Sequence, residues 1–116
     1  MSKRVLVVDD VREMCEMLAD RLGALGFEVV WRTVPAEALD VLASTEVDAV
    51  VTDLNMSGMS GLELCERIVA GHPDVPVIVI TAFGSLDAAI GAIRAGAYDF
   101  LTKPFEITVM ALALER

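Results

Sequence analysis

The sequence predicts a doubly wound α/β fold, a single domain over residues 1–116 built around a five-stranded parallel sheet. Short apolar runs alternate five times with longer amphipathic runs, and the apolar runs are rich in valine and isoleucine. Most of these runs do not alternate with polar residues, which is typical of strands covered on both faces, as in a parallel sheet. Right-handed connections between five β-α units favour the strand order 2-1-3-4-5.

The predicted strands and helices follow one another in order. The five strands are Arg4–Val8, Glu28–Trp31, Ala49–Thr52, Val75–Ile80 and Tyr98–Thr102. The first helix starts at Val11 and ends at Gly26, and Pro35 opens the second. The third begins near Gly61, the fourth near Ser85 with Leu86, Ile90 and Ile93 at helical spacing, and the fifth after Pro104. Together they predict a flavodoxin-like (β/α)5 arrangement, in which ligands bind beyond the carboxyl ends of strands one and three.

Composition narrows the possible functions. The 116 residues carry a formal net charge of −9, 55% of them are hydrophobic, and the mean hydropathy is +0.60, so disorder is excluded. The negative charge repels phosphate backbones, and we expect no nucleic-acid binding by this domain. No apolar run approaches the roughly 18 residues that span a membrane. Cys15 and Cys65 lie far apart without a C-x-x-C motif, which indicates reduced thiols in the cytoplasm.

The fifth helix is unusual because residues 109–114 include no polar side chain. A helix at a protein surface normally has a polar face. Two explanations stay open. Either the chain ends within this helix as a piece of a longer protein, with both helix faces partly buried, or the helix packs against a second chain, as in a homodimer.

Acidic residues fall directly after two of the predicted strands. Asp9 and Asp10 follow the first strand, and Asp53 follows the third. The carboxyl ends of neighbouring parallel strands meet at one edge, so three carboxylates would converge there and raise one another's pKa values. A cation relieves that repulsion, and hard oxygen ligands in a hydrated crevice favour Mg²⁺. Lys103 ends the fifth strand at the same edge and can add an ammonium group.

A carboxylate beside a divalent cation and an ammonium group can accept a phosphoryl group. The product at Asp53 is an easily hydrolysed aspartyl phosphate. The hydroxyl of Thr81, at the end of the fourth strand, can bind a phosphoryl oxygen, and Phe100 can enter the space that Thr81 vacates. Singly, each residue has a structural explanation: Asp10 as an N-cap, Asp53 as a turn residue, Thr81 as a strand residue, Lys103 as surface and Phe100 as core. Their shared position favours a site.

Four motifs occur in order along the chain: VLVVDD at 5–10, VVTDLNM at 50–56, VITA at 79–82 and GAYDFLTKPF at 96–105. With these motifs the chain resembles the receiver domains of bacterial two-component response regulators, from Val5 to the last helix. The resemblance implies a cytoplasmic signalling switch rather than an enzyme, phosphorylated by a sensor histidine kinase. Residues 81–85 and 96–105 are similar to the nitrogen-regulator (sigma-54-dependent activator) class, so a transcriptional output is expected.

The resemblance also implies a role for each site residue. It implies Asp53 as phosphoacceptor, Asp10 as a direct Mg²⁺ ligand, Asp9 as a ligand through water, Asn55 as a main-chain carbonyl ligand, Thr81 and Phe100 as the switch pair, Lys103 as the phosphoryl partner, and a cis Lys103–Pro104 bond. Ser57 departs from the family, which usually has a loop-stiffening proline there. We hypothesise that Phe83 shields the phosphoryl group from water.

Three alternatives have different requirements. A haloacid-dehalogenase-type phosphatase also forms an aspartyl phosphate, but that chemistry uses Asp-x-Asp, and the acids here are adjacent. An FMN carrier needs a first loop that cradles phosphate, which the acids at 9–10 would repel. A degenerate receiver would act only as an interaction module, and the complete set of site residues argues against it.

Overall fold

The computed structural model describes residues 3–56, 58–81 and 86–115. The departure at Ser57, the hypothesis on Phe83 and the predicted start of the fourth helix near Ser85 therefore fall outside the described residues. The strands are β1 (Arg4–Val8), β2 (Glu28–Arg32), β3 (Ala49–Asp53), β4 (Val77–Thr81) and β5 (Asp99–Thr102). The helices are α1 (Arg12–Ala24), α2 (Pro35–Ser44), α3 (Gly61–Gly71), α4 (Leu86–Arg94) and α5 (Ile107–Glu115).

The strands form one parallel sheet in the order β2-β1-β3-β4-β5, which confirms the predicted topology. Successive residues of a strand point to opposite faces, so β1 contributes Val5 and Val7 to one core and Leu6 and Val8 to the other. Helices α1 and α5 cover the first face, and α2, α3 and α4 cover the second. Among the described residues, no helix is long and apolar enough to cross a membrane.

Strand β4 begins at Val77, two residues later than the sequence pattern predicts. Pro76 has no N–H to donate, so it cannot take a full place in the ladder. Its carbonyl still accepts a hydrogen bond from Val50 N–H at 3.0 Å. Pro76 therefore lies directly before β4 rather than within it.

Helix α4 turns small residues toward the sheet. Ala89 and Ala92 are buried, whereas Leu86, Ile90 and Ile93, which mark the helix in the sequence, are exposed. Gly91 lies close to α3, since a Cβ there would meet Cδ1 of Leu62 at 3.0 Å. Small side chains let the two helices approach, and the larger apolar residues are left outside.

Helix α5 buries four of its nine residues. Met110, Ala111, Ala113 and Leu114 pack into the core that α1 also covers, while Val109 and Leu112 are exposed. Burial within the fold thus accounts for most of the apolar run at 109–114. Burial does not explain why the two exposed positions, Val109 and Leu112, carry apolar side chains.

Candidate functional site

The candidate site lies at the carboxyl ends of four neighbouring strands. Asp9 follows β1, Asp53 is the last residue of β3, Thr81 is the last residue of β4, and Lys103 follows β5. Because the strands are parallel and adjacent in the order β1-β3-β4-β5, their ends meet at one edge. The fold therefore brings together residues that are up to 94 positions apart, from Asp9 to Lys103 (103 − 9).

Three carboxylates form the centre of this site. Asp9, Asp10 and Asp53 each offer one carboxylate oxygen, and these oxygens all lie within 4.8 Å of one another. Asp9 and Asp53 are buried, and Asp10 is exposed. Oxygen donors at this spacing, with one side open to solvent, suit a hard divalent cation such as Mg²⁺.

Asp9 carries a buried oxygen that lacks a partner. The residue as a whole is only 2% exposed. Its Oδ1 accepts a hydrogen bond from Val11 N–H at 2.9 Å, whereas Oδ2 has no hydrogen-bond partner among the described residues. Burying an unpartnered carboxylate oxygen is unfavourable unless water or a cation reaches it. The residues present therefore fit a bound cation.

The electrostatics of Asp9 agree with this geometry. Burial raises the pKa of Asp9 above its usual value of 3.8, and the neighbouring charges of Asp53 and Asp10 act in the same direction. The Val11 N–H and the Lys103 ammonium oppose that rise in pKa. The largest cause is desolvation, so a positive ion at Oδ2 would remove much of the penalty.

The N-terminus of α1 places Val11, and not Asp10, at the N-cap position. The N-cap residue is Val11, which has no side-chain capping hydrogen bond. It is the carboxylate of Asp9, not that of Asp10, that accepts the Val11 N–H. Asp10 is therefore not the N-cap residue of α1, and its exposed carboxylate lies in the acidic cluster.

Lys103 is paired with Asp53. Its Nζ lies 3.1 Å from Asp53 Oδ1, with side-chain exposures of 39% and 9%. The backbone N–H of Lys103 donates to the Thr81 carbonyl at 2.9 Å, and the Lys103–Pro104 peptide bond is cis. One ammonium group faces three carboxylates, so the site keeps a net negative charge that a divalent cation can balance.

Thr81 and Phe100 lie on the neighbouring strands β4 and β5. Thr81 is fully buried, and its hydroxyl donates a long hydrogen bond of 3.5 Å to the Leu101 carbonyl. Phe100 is half-buried against the core that α2, α3 and α4 cover. Asn55 is exposed in the loop after β3.

One contact at the site has no signal in the sequence. The thiol of Cys15, for which the sequence predicts only a reduced state, donates to the main-chain carbonyl of Asp9 at 3.3 Å. Burial raises the pKa of this thiol to about 11, so it stays protonated and able to donate. A donor six residues away becomes apparent only once α1 is folded back onto the strand end.

The chain belongs to the response regulator receiver domain family, which it matches over residues 5–115. It is 41% identical over 105 residues to the response regulator protein PilR of Pseudomonas aeruginosa, covering 90% of this chain and 24% of that one. It is 40% identical over 112 residues to the DNA-binding transcriptional regulator NtrC of Escherichia coli K12, covering 97% and 24%. The chain thus spans about a quarter of the length of these relatives.

Solved structures are similar over nearly the whole chain. FixJ-N is 36% identical with a TM-score of 0.92, and the match covers 99% of this chain and 92% of that one. A response regulator from Burkholderia pseudomallei, whose structure contains a phosphorylated aspartic acid, a calcium ion and citrate, is 29% identical with a TM-score of 0.89. That match covers 97% of this chain and 66% of the other. The expected family and fold are both confirmed.

Proposed function

We propose that this receiver domain is a Mg²⁺-dependent phospho-acceptor switch, phosphorylated on Asp53 by a sensor histidine kinase. One observation carries the proposal. A buried carboxylate at a strand end has an ammonium group 3.1 Å away and two further carboxylates within reach of a shared cation. The similar structure from B. pseudomallei, with its phosphorylated aspartic acid and bound cation, supports the same chemistry here.

In the proposed transfer, a carboxylate oxygen of Asp53 attacks the phosphorus of a phosphohistidine. The new O–P bond forms as the P–N bond breaks, and the histidine nitrogen leaves with the electron pair of that bond. Lys103 neutralises charge on the phosphoryl group and the acceptor, and the hydroxyl of Thr81 donates to a phosphoryl oxygen. Hydrolysis reverses the modification when water attacks phosphorus and the Asp53 carboxylate leaves.

The proposed cation site uses oxygen atoms only. Asp10 and Asp53 would bind Mg²⁺ directly, Asp9 through a water molecule, and Asn55 through its main-chain carbonyl. When bound, Mg²⁺ supplies positive charge against the phosphoryl oxygens. The unpartnered Oδ2 of Asp9 gives that water a hydrogen-bond acceptor inside the fold.

The proposed switch couples the phosphoryl group to the β5 surface. Thr81 breaks its long bond to the Leu101 carbonyl when it turns toward a phosphoryl oxygen. The turn vacates space that the half-buried Phe100 can fill, which gives two arrangements that a charge can bias. The output is proposed to be transcriptional, as the name of NtrC suggests, within a longer regulator in which residues 1–116 form one receiver domain.

The net charge of the domain and the exposed apolar side chains of α5 indicate which partners to propose. A net charge of −9 argues against direct nucleic-acid binding by this domain. The exposed Val109 and Leu112 on α5 support a homodimer through the last helix. The sensor kinase would present its phosphohistidine at the open side of the site, beside Asp10.

Intact-mass measurement after incubation with Mg²⁺ and phosphoramidate tests the proposed function. The native chain should gain one phosphoryl group that is labile to base and hydroxylamine, and Asp53→Asn should gain none. Asp40→Asn is the matched control, because it makes the same change on the exposed face of α2. A native chain that gains no phosphoryl group from any donor would instead be a degenerate receiver, acting as an interaction module.

A further inference from the structure

The first residue of α3, Gly61, lies against the main chain of the proposed acceptor. A Cβ atom at position 61 would overlap the carbonyl oxygen of Asp53 and lie 2.7 Å from Cα of Leu54. Real Cβ atoms essentially never come within 3.0 Å of such neighbours, and backbone atoms cannot swing aside as the end of a side chain can. A larger residue at 61 must therefore displace either α3 or the Asp53–Leu54 peptide.

Hydrogen bonds hold the same stretch of main chain from several sides. Gly61 N–H donates to the Leu54 carbonyl at 2.9 Å, and Leu54 N–H donates to the Ile80 carbonyl at 2.9 Å. The buried hydroxyl of Thr52 donates to the Asp53 carbonyl at 3.0 Å. The acceptor's carbonyl oxygen is thus enclosed between the Thr52 hydroxyl and the bare Cα of Gly61.

Helix α3 is anchored by contacts of its own. Its N-cap Ser60 accepts a hydrogen bond from Glu63 N–H at 3.2 Å, which stabilises the first turn. Leu64 and Ile68 anchor the helix because both are fully buried. Strand β3 ends at Asp53, so any displacement of the Asp53–Leu54 peptide moves the proposed acceptor itself.

We propose that Gly61 is a positioning residue for phosphoryl transfer. Together with the Thr52 hydroxyl it forms a clamp, by which we mean the two groups that hold the Asp53 carbonyl from opposite sides. The missing Cβ lets α3 hold the Asp53 carbonyl, which fixes the carboxylate 3.1 Å from Lys103 Nζ and within the acidic cluster. This inference rests on the proposed phosphoacceptor role of Asp53. Misplacing a reacting group by an ångström slows such a step by roughly 100-fold.

Single-turnover phosphorylation by phosphoramidate at saturating Mg²⁺ tests the role of Gly61. The matched control is Gly71→Ala, which makes the same change in the same helix where a Cβ meets nothing within 4 Å. Circular dichroism at the assay temperature establishes that each protein is folded. Gly61→Ala should lower the rate constant for phosphorylation at saturating donor roughly 100-fold, with the half-saturating donor concentration retained. Gly71→Ala should match the native chain.

The outcomes separate this inference from the proposed function. If the native chain takes no phosphoryl group, the proposed function fails, and the positioning role fails with it. If the native chain and Gly61→Ala react at equal rates, only the positioning role is wrong. A reduced final extent with an unchanged rate constant would also overturn it, because that result reports a loss of folded protein rather than a displaced acceptor.

Thr52→Val decides the question if Gly61→Ala does not fold. Valine keeps the shape of the buried side chain but removes the hydroxyl that holds the Asp53 carbonyl. The rate constant should fall roughly five-fold, the equivalent of one net hydrogen bond, while Thr108→Val on the exposed side of α5 should leave it unchanged. An unchanged rate in folded Thr52→Val would refute the clamp.

Discussion

Removing the charge of Asp9 should stabilise the metal-free protein and weaken its response to Mg²⁺. Asp9→Asn keeps an oxygen that can accept the Val11 N–H but removes a buried negative charge beside two others. The substitution therefore separates what the site needs for folding from what it needs for binding a cation. Sites of this kind commonly trade stability for function.

The structure sets the size of the expected effect. Two unit charges 4.8 Å apart interact by about 3.5 kcal/mol at an effective dielectric constant of roughly 20. Lys103 offsets part of the repulsion between Asp9 and Asp53, and solvent screens the exposed Asp10. We expect a net gain of about 1–2 kcal/mol in the free energy of unfolding without metal, which raises Tm by roughly 4–8 °C for a domain of this size.

Thermal unfolding followed by calorimetry, in EDTA and in Mg²⁺, measures both effects. At ten times its Kd, Mg²⁺ should stabilise the native chain by about 1.4 kcal/mol, and it should stabilise Asp9→Asn much less. Asp40→Asn changes the net charge equally at an exposed position and should change neither value.

Two results would refute the reasoning. If metal-free Asp9→Asn is no more stable than the native chain, repulsion at the acidic cluster is not a significant term in stability. If Mg²⁺ stabilises both proteins equally, Asp9 does not contribute to holding the cation, and its unpartnered oxygen needs another explanation.

Three further predictions follow from single contacts. Lys103→Gln should slow phosphorylation by phosphoramidate roughly tenfold, a modest loss because the lysine side chain is 39% exposed, while Lys3→Gln should not slow it. Burial raises the pKa of Cys65 to about 11. Iodoacetamide at pH 8 should therefore label this thiol quickly only in denaturant. The stability that the protonated thiol contributes below pH 9 should be lost as the pH rises toward 11. If α5 pairs two copies, light scattering should show a concentration-dependent mass that Leu112→Gln abolishes; a constant monomer mass would exclude that dimer.

The sequence by itself determined the fold and the neighbourhood of the site. Most of the five apolar runs are rich in valine and isoleucine and lack polar alternation, which predicts a parallel sheet covered on both faces. That topology places the strand ends at one edge. Asp9, Asp53, Thr81 and Lys103 stand at or directly after those ends, so their convergence follows from chain order alone. The acceptor role of Asp53 and the metal-binding roles stay predictions until phosphorylation is measured.

Only the tertiary structure decided which faces of α4 and α5 are buried. Helical spacing marks Leu86, Ile90 and Ile93 on α4, yet the helix packs through Ala89 and Ala92, because close approach to α3 and the sheet selects small residues. On α5 an apolar run without polar residues gives no periodic signal, and packing against α1 buries Met110 and Leu114 while Leu112 stays exposed.

The same holds for contacts at the site itself. One oxygen of Asp9 accepts the Val11 N–H, while the other has no partner among the described residues. Gly61 lies against the carbonyl of Asp53. These contacts depend on distances of a few ångströms between separate elements. Sequence patterns report which side of a strand or helix a residue occupies. Distances between elements arise only when the whole core packs, because each position is set by all of its neighbours at once.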